Sequence, residues 1–406
     1  MALRILVLGG GFGGLYTALE THRRLGGRVQ ITVVDRTGSF LFTPLIYQVV
    51  SGILGVRHVS RPLSQLLPKA VKTVRASVLK VDLDARRVET DLGPMEYDLL
   101  VLALGSVPHY YGIPFAEQHA LTFKWLPDAE RLRAHIMARF AEAEALPHMS
   151  RALLKTVVVG AGCTGVELAA ELHDWIYGTL LSRFPRADES AVSLDLVEAM
   201  SQMPCPADPE LRKAAARQLL SRRLSIRLGT VVEAINRGHV RLRTNGNVYQ
   251  EPYGTAVWAA GVRPSPIAAT LPLERDPGGR IRVTETLQVP GRPEVLVVGD
   301  MAACPDPSGG VVPATAQAAF QEGPAAARTL AALVGGRTPP PFRYKRKGEV
   351  LHMGRSGAIG EVYGVRLTGL PAWLAWRTLN LLRLPDWGDR ASVALEWAKD
   401  AIGVGG

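Results

Sequence analysis

The stretch at residues 4–14, RILVLGGGFGG, decides the fold of this chain. A short apolar run leads into G-x-G-x-x-G at Gly9, Gly11 and Gly14, and a helix-favouring stretch follows over 15–25. In this pattern the first glycine permits a tight turn, the second lets the backbone approach a pyrophosphate, and the third lets the helix pack closely on the strand. The N-terminus of the helix also favours a negative group at the turn. The stretch therefore predicts a strand–turn–helix unit that binds a dinucleotide.

The same pattern occurs a second time along the chain. After the first fingerprint an apolar run ends in Asp35, an acid placed to accept hydrogen bonds from a ribose. The stretch TVVVGAGCTG at 156–165 repeats the fingerprint, and another apolar run then ends in Glu198. Each copy closes on a short apolar strand and a glycine, which is Gly105 in the first copy and Gly261 in the second. Two matched units are much stronger evidence for nucleotide binding than one fingerprint.

Length and charge restrict the class of protein. A chain of 406 residues predicts two to three domains, and the charged fraction of 21% is ordinary for a globular protein. The net charge of +10 favours nucleic acid, anionic lipid or anionic ligands as partners. The chain has no basic run interleaved with aromatic residues, so we expect no nucleic-acid partner.

The chain shows no targeting or membrane-spanning segment. The first predicted strand begins at residue 4, so we expect no secretory signal peptide. No uncharged apolar stretch reaches the ~20 residues that a membrane-spanning helix needs. The three cysteines, Cys163, Cys205 and Cys304, include no C-x-x-C pair and are odd in number, which indicates a reducing cytosol.

Two later segments extend the nucleotide-binding pattern. The apolar run 294–298 leads into Gly299 and Asp300, which predicts that the first domain is discontinuous, although a plain turn acid is an alternative. A helix start follows, in which Gln317 and Gln321 are four residues apart and so share one face.

The C-terminal segment has a different composition. Residues 367–384 are apolar almost all round, with a narrow polar strip beside Trp373 and Trp376. Asp389 is the predicted N-cap of a following helix. That helix has an apolar stripe at Ala391, Ala394, Leu395, Ala398 and Ile402. The pattern fits helices that lie in a membrane interface, and a dimer interface or a docked helix pair are the alternatives.

These motifs resemble those of the type II NADH dehydrogenases, the single-subunit, non-proton-pumping NADH:quinone oxidoreductases of the two-dinucleotide-binding-domain flavoprotein superfamily. The glycine fingerprints and Gly299-Asp300 are shared across that superfamily. The stretch AQAAFQEG at 316–323 and the Trp-rich tail at 367–376 are more specific, because they resemble the family's quinone site and membrane anchor.

The resemblance implies an α/β fold with two Rossmann-like, glutathione-reductase-like dinucleotide-binding domains and a C-terminal amphipathic helical region that anchors the protein to a membrane. The FAD-binding domain would span 1–115 and 290–340, and the NADH-binding domain 150–289. Residues 341–406 would serve membrane association or dimerisation. The implied location is peripheral, on the cytoplasmic side of the cell membrane, and a homodimer is an open alternative.

The resemblance also implies the cofactors and the site residues. FAD would be held without a covalent bond, NADH would pass hydride to flavin N5, and a membrane quinone would then take two electrons without proton pumping. Glu167, Gln317 and Gln321 would carry the catalytic roles, and no metal ligand is assigned. The cofactor-binding set would be Gly9, Gly11, Phe12, Gly13, Gly14, Asp35, Thr43, Val78, Ala103, Gly105, Gly299, Asp300, Ala316 and Gln317, together with Gly160, Gly162, Thr164, Gly165, Glu198, Ala260 and Gly261.

Two departures from the family and two other functions stay open at this point. Leu104 stands where relatives commonly carry Thr, and 349–353 differs from the usual pattern, so no residue there is assigned a role. A sulfide:quinone oxidoreductase would share the fold but needs reactive cysteines beside the flavin. A flavoprotein of the apoptosis-inducing-factor type would keep both nucleotide sites and make Gln317 and Gln321 incidental.

Overall fold

The computed structural model describes residues 2–401 except 147, 149, 188, 223 and 356. The chain divides into two compact units, and each unit is built from separate stretches of sequence. Unit 1 comprises Met1–Leu41, Ser60–Val107 and Val262–Arg346, and unit 2 comprises Phe42–Val59, Pro108–Gly261 and Lys347–Gly406.

The strands are short, and some follow one another without a helix between them. They are β1 Leu3–Leu8, β2 Val29–Asp35, β3 Ser39–Leu41, β4 Ser60–Pro62, β5 Lys72–Arg75, β6 Val78–Asp82, β7 Arg87–Thr90, β8 Gly93–Glu96, β9 Leu99–Leu102, β10 Ser106–Pro108, β11 Leu121–Thr122, β12 Lys155–Val159, β13 Ser193–Val197, β14 Leu224–Arg227, β15 Thr230–Asn236, β16 His239–Thr244, β17 Asn247–Pro252, β18 Thr255–Trp258, β19 Val262–Pro264, β20 Ile281–Arg282, β21 Gln288–Val289, β22 Arg292–Val297, β23 Ala302–Ala303, β24 Gly348–His352, β25 Ala358–Val362 and β26 Val365–Thr368.

The helices range from single turns to five turns. They are α1 Phe12–Leu25, α2 Tyr47–Ser51, α3 Val56–Val59, α4 Leu63–Leu66, α5 Ala116–His119, α6 Leu126–Ala145, α7 Cys163–Trp175, α8 Leu181–Arg183, α9 Pro209–Leu220, α10 Ile267–Thr270, α11 Ala316–Val334, α12 Gly369–Arg383 and α13 Trp387–Ala401. Among the described residues, no helix is both long enough and apolar enough to cross a bilayer.

Unit 1 is organised around a six-stranded sheet in the order β21-β22-β9-β1-β2-β5. The strands from β22 to β5 are parallel, and β21 is antiparallel at the edge. The strand β9 is buried along its whole length, because parallel strands carry helices on both faces. The helices α1 and α11 approach closely, with the rings of Tyr16 and Phe320 4.4 Å apart. The strand β22 and the helix α11 return to this unit after the second fingerprint unit in sequence.

Unit 2 repeats the parallel arrangement with the strand order β11-β18-β12-β13-β14. A three-stranded antiparallel sheet, β15-β16-β17, is attached, and another, β24-β25-β26, lies in the C-terminal part. The two parallel sheets confirm the predicted α/β fold.

One detail of the C-terminal prediction was wrong. Asp389 was predicted to cap the last helix, but α13 already begins at Trp387 and Asp389 lies inside its first turn. The carboxylate Oδ2 of Asp386 accepts hydrogen bonds from the N–H groups of Gly388 and Asp389 at 2.7 and 3.4 Å. Asp386 therefore takes the capping position, because its side chain reaches the free N–H groups of the first turn.

Candidate active site

The first fingerprint forms a turn that is held from both sides. Gly9 N–H donates to the carbonyl of Val34 at 2.7 Å, and Gly10 N–H donates to the carboxylate of Asp35 at 2.8 Å. A side chain at Gly14 would place its Cβ 1.8 Å from the carbonyl oxygen of Gly9, whereas a Cβ at Gly11 would meet no atom within 4 Å. The turn therefore packs tightly against the helix and leaves open space in front of Gly11, where a pyrophosphate would fit.

The second fingerprint has the same construction. Gly160 N–H donates to the carbonyl of Val197 at 2.7 Å, and Ala161 N–H donates to the carboxylate of Glu198 at 2.8 Å. A Cβ at Gly165 would lie 1.9 Å from the carbonyl oxygen of Gly160. Glu198 is buried, and it also accepts from Met200 N–H at 3.0 Å. Each carboxylate oxygen has a second lone pair, so Glu198 can still accept from a ribose hydroxyl.

Several predicted cofactor residues lie near the first fingerprint in unit 1. A Cβ at Gly9 would collide with the carbonyl oxygen of Ala103, and a Cβ at Gly13 would lie 2.8 Å from the Val298 side chain. Phe12, at the start of α1, packs its ring edge-on against Phe40. The remaining residues lie at element ends: Gly105 follows β9, Val78 begins β6, and Ala316 begins α11.

The other predicted cofactor residues belong to unit 2. Thr164 is exposed in the first turn of α7, beside Gly162, at which a Cβ would meet open space. Ala260 lies against the backbone of Gly160, and a Cβ at Gly261 would approach the Tyr111 hydroxyl to 2.4 Å. Thr43 lies in a short 3-10 turn, Thr43–Leu45, that also belongs to unit 2.

Two hydrogen bonds in unit 1 hold the turn that contains Asp300, one made by Asp300 and one by the residue before it. Its Oδ2 accepts from the Ser106 hydroxyl at 2.5 Å, and the preceding residue, Gly299, donates its N–H to Glu322 Oε2 at 2.5 Å. Glu322 is buried, and burial raises the pKa of its carboxyl to about 8. The Gly299 N–H opposes this rise in pKa, and the negative charge of Asp300 adds to it. Glu322 therefore positions the Gly299-Asp300 turn.

The two glutamines of α11 make different contacts. The carbonyl oxygen of the Gln317 side chain accepts from the Tyr344 hydroxyl at 3.1 Å. The amide of Gln321 pairs with the backbone of Lys345, donating to its carbonyl at 3.0 Å and accepting from its N–H at 3.1 Å. The side-chain amide of Gln321 also donates to the backbone carbonyl of Gln317 at 3.2 Å, as expected for residues one turn apart. The side chain of Gln321 thus fastens the segment at Lys345.

Glu167 lies on α7, two residues after the second fingerprint. Its Oε1 accepts from the backbone N–H of His352 at 3.0 Å. Burial raises the pKa of the Glu167 carboxyl to about 8, the His352 N–H lowers it, and the charges of Glu349 and Glu171 raise it further. Glu167 can therefore hold a proton at neutral pH, which is the property of a general acid. It belongs to unit 2, whereas Gln317 and Gln321 belong to unit 1.

A buried carboxylate accompanies Glu167. Glu171 lies one turn further along α7, and its Oε2 is 2.9 Å from His352 Nε2. The His352 ring stacks on Tyr47 with 5.3 Å between ring centres and also contacts Trp376. Among the described residues, His352 Nδ1 and the Tyr47 hydroxyl have no hydrogen-bond partner. Burial, with the charges of Glu167 and Glu171, raises the pKa of Tyr47.

Two of the three cysteines form a disulfide, whereas the sequence predicted a reducing environment with free thiols. Cys163, the first residue of α7, forms a disulfide with Cys205, which lies 42 positions later in the loop after Glu198. Cys304 is a buried free thiol, and burial raises its pKa to about 12. The pairing was missed because the two residues are distant in sequence and match no short-range cysteine motif.

The C-terminal helices use one face for packing and expose the other. On α12 the residues Ala372, Trp376 and Asn380 are buried, whereas Leu370, Leu374 and Leu382 on the opposite face are more than half exposed. On α13 the predicted stripe is exposed at Ala391, Ala394, Leu395 and Ala398, and Ile402 lies outside the described residues. Trp397 is buried and donates to Gln48 Oε1 at 2.7 Å. The two helices therefore pack against the rest of unit 2 and still present an apolar surface.

Two parallel-sheet units, each with a glycine fingerprint held by an acid, define a dinucleotide-binding oxidoreductase. The profile of the pyridine nucleotide-disulphide oxidoreductase family matches residues 3–323. The chain is 32% identical to a type II NADH:quinone oxidoreductase of Mycobacterium tuberculosis, covering 97% of this chain and 87% of the relative. It is also 32% identical to one from Staphylococcus epidermidis, with 91% and 92% coverage. The chain therefore belongs to the type II NADH:quinone oxidoreductases, and the predicted family is confirmed.

Further relatives agree with this assignment. A demethylphylloquinone reductase of Synechocystis is 31% identical over 98% of this chain and 96% of its own length. Among solved structures, NDH2 from Plasmodium falciparum in complex with NADH has a TM-score of 0.90 at 17% identity, covering 100% of this chain and 99% of that one. The sulfide:quinone oxidoreductase of Aquifex aeolicus has a TM-score of 0.76 at 20% identity, with 99% and 95% coverage. At these identities the structural likeness shows the fold alone.

Three residues beside the predicted site escaped the sequence reasoning. Glu171 could have been found, because it follows Glu167 by four residues and so lies on the same helix face. Glu322 directly follows Gln321 in the most specific motif. His352 gave no signal, because it lies in the stretch 349–353 that departs from the family pattern.

The raised pKa of Glu322 predicts how stability depends on pH. The folded state holds a proton that the unfolded state releases above about pH 4.5, so unfolding becomes easier as pH rises from there to about 8. We expect Glu322→Gln to reduce the loss of Tm between pH 6 and pH 8.5, because an amide does not titrate. Glutamine also keeps an acceptor for Gly299 N–H. The exposed Glu285→Gln is the matched control for scanning calorimetry. An unchanged pH dependence of Tm in Glu322→Gln would show that Glu322 titrates normally.

Proposed function

We propose that this chain is an FAD-dependent NADH:quinone oxidoreductase that does not pump protons. The observation that carries the proposal is the repeated fingerprint turn, in which Asp35 holds Gly10 and Glu198 holds Ala161 with the same geometry. One turn in each unit suits a chain that must hold two dinucleotides at once. The family to which the chain belongs indicates which two dinucleotides these are, namely a flavin cofactor and NADH.

The residues of unit 1 are proposed to hold FAD. The N–H groups of the turn at 9–14 would bind the pyrophosphate, Asp35 would accept from the ribose, and Asp300 would bind the ribityl chain. The N-terminus of α11 at Ala316 would favour negative charge on the ring, since helix N-termini carry partial positive charge. When bound, FAD supplies the acceptor for hydride from NADH and the donor of two electrons to the quinone.

The residues of unit 2 are proposed to bind NADH and to supply a proton to the quinone. The turn at 160–165 would bind the pyrophosphate of NADH, and Glu198 its adenosine ribose. Glu167 would donate a proton during quinone reduction, because its raised pKa keeps it protonated at neutral pH. In unit 1, Gln317 would donate a hydrogen bond to a quinone carbonyl, a role for which a neutral amide is suited. Gln321 would act through the segment that it fastens at Lys345.

Steady-state oxidation of NADH with menaquinone and ubiquinone analogues tests this function. We expect turnover with a quinone, a yellow protein as purified, and complete release of the flavin into the supernatant on denaturation. NADH oxidation without any quinone reduction would instead favour an NADH-binding flavoprotein of the apoptosis-inducing-factor type.

A sulfide:quinone oxidoreductase is the weaker candidate, because its likeness to this chain is one of fold alone. That chemistry needs reactive thiols beside the flavin, but Cys163 and Cys205 belong to unit 2, where Cys163 lies in the turn proposed to bind NADH. Cys304 is buried, and its raised pKa keeps it as an unreactive thiol.

The exposed apolar face of α12 and α13 supports peripheral membrane binding, on the cytoplasmic side that the resemblance implies. Leu370, Leu374 and Leu382 are exposed on α12, and Trp387 at the start of α13 is 77% exposed. The guanidinium groups of Arg377 and Arg390 lie over the rings of Trp373 and Trp387. Leucines with aromatic and cationic side chains beside them are typical of helices that lie in the membrane interface.

Replacing two of these leucines by an acid should release the protein from membranes. We expect Leu374→Glu/Leu382→Glu to lower binding to anionic phospholipid vesicles about 100-fold, since two leucines contribute about 3 kcal/mol when buried in lipid. Vesicle flotation measures the effect, and Leu220→Glu, also exposed in unit 2, is the matched control. Retention of the double variant on vesicles, with loss of a dimer in analytical ultracentrifugation, would assign this face to a second copy of the chain.

A further inference from the structure

Three side chains from three separate segments of unit 2 meet at the N-terminus of α7. Cys163 is the first residue of that helix, Cys205 lies in the loop after β13, and Glu349 lies on β24. Glu349 Oε1 is 2.9 Å from Cys163 Sγ and 3.4 Å from Cys205 Sγ. One ligand atom from each residue lies within 4.8 Å of the others, and the sulfurs are joined as a disulfide.

A disulfide cannot donate a hydrogen bond to the Glu349 carboxylate. Its sulfurs carry no hydrogen, so Glu349 Oε1 accepts nothing from either of them. The other oxygen, Oε2, receives only a long hydrogen bond from Ala207 N–H at 3.4 Å among the contacts of the described residues. Cys205 is buried, while Cys163 and Glu349 are half-buried, so the carboxylate has lost part of its hydration. Once the disulfide is reduced, a cation bound by the three groups would satisfy Glu349 and the two sulfurs together.

We propose that Cys163, Cys205 and Glu349 form a Zn²⁺ site when the disulfide is reduced. Thiolate and carboxylate are common zinc ligands, and a four-coordinate zinc accepts three protein ligands and a water. After reduction both cysteines can bind the metal as thiolates. Two thiolates and a carboxylate without a cation would repel one another, so reduction creates the demand for the metal.

The disulfide is reduced by thiol–disulfide exchange before the metal binds. A dithiol reductant attacks one sulfur of the disulfide, the S–S bond breaks, and a mixed disulfide forms. The second thiol of the reductant then closes its own disulfide, so two electrons and two protons pass to Cys163 and Cys205. Zn²⁺ displaces the two thiol protons as it binds.

The site has a consequence for the nucleotide, and this part rests on the proposed function. Cys163 lies within the turn at 160–165 that would hold the pyrophosphate of NADH, and Cys205 lies in the loop that follows Glu198. A zinc ion at Cys163 would tie the turn, the loop and β24 together at the place where NADH should bind. We expect zinc to raise the KM for NADH of the reduced enzyme and to leave that of the oxidised enzyme unchanged.

Zinc binding can be measured without NADH on the full-length protein as purified with its flavin. The protein is reduced with a dithiol, desalted under nitrogen and titrated with zinc chloride against a chromophoric chelator. We expect one Zn²⁺ per reduced chain and none per oxidised chain, with X-ray absorption showing two sulfur ligands at about 2.3 Å. Cys205→Ser should weaken binding at least 100-fold and Glu349→Gln about 10-fold, while Cys304→Ser, a buried cysteine of unit 1, should bind as the wild type does.

Several outcomes would overturn the site. These are no zinc bound by the reduced wild type, equal binding by the oxidised protein, or wild-type affinity in Cys205→Ser. Flavin content and Tm identify a variant that has failed to fold, and the comparison of oxidised with reduced wild type needs no variant. If zinc binds as expected but the KM for NADH does not change, the zinc site stands and the placement of NADH at 160–165 is wrong.

Discussion

Glu167→Gln is expected to slow the reduction of quinone by about 100-fold while NADH reduces the flavin at its original rate. The wild-type carboxyl can donate a proton because burial raises its pKa to about 8. A glutamine has nearly the same shape and accepts the same His352 N–H, but it has no acidic proton. Only the step that consumes a proton should therefore be affected.

Stopped-flow spectroscopy separates the two half-reactions, and pH provides a second test. The quinone half-reaction of the wild type should slow as pH rises through about 8, because Glu167 then loses its proton. Glu167→Gln should lack this dependence, whereas Glu117→Gln, an exposed glutamate of unit 2, should keep it. Equal slowing of both half-reactions would show that Glu167 supports the structure of α7 and does not serve the quinone.

Glu198→Gln is expected to raise the efficiency of NADPH relative to NADH by about 10- to 100-fold. The carboxylate would accept from the 2′-hydroxyl of NADH and repel a 2′-phosphate, and like charges at close range cost several kcal/mol. The structure makes glutamine a better replacement than alanine, because Glu198 also accepts from Ala161 and Met200 N–H groups. Glutamine keeps an acceptor for one of these groups and removes the charge.

The ratio of kcat/KM values for the two nucleotides measures this effect. Glu198→Ala should also narrow the preference for NADH over NADPH. It should lose more activity with NADH, since the fingerprint turn loses the hydrogen bond between Ala161 N–H and the Glu198 carboxylate. Glu210→Gln, an exposed glutamate on α9, is the matched control and should keep the wild-type preference. If the wild type already uses NADPH as well as NADH, Glu198 does not bind the ribose.

Much of the fold could be predicted because its signals are local. The turns at Gly9–Gly14 and Gly160–Gly165 are determined by steric limits within six residues, which is why the strand, turn and helix appear where they were predicted. The acids Asp35 and Glu198 follow from the same logic, since each ends a strand beside its own fingerprint. The predicted capping residue of α13, Asp389, was wrong by about one turn. Asp386, three residues earlier, accepts the hydrogen bonds from the N–H groups of the first turn.

The sequence alone therefore determined the two nucleotide-binding units and the amphipathic tail, which follow from short-range periodicity and backbone sterics. The candidate acid Glu167 came from the resemblance to the family. Only the tertiary structure decided which distant side chains meet. It joined Cys163 to Cys205, set His352 against Glu171, and buried Glu322 against Gly299. These contacts arise from the packing of segments far apart in the chain, and burial among them also changes charge, as the raised pKa values of Glu167 and Glu322 show.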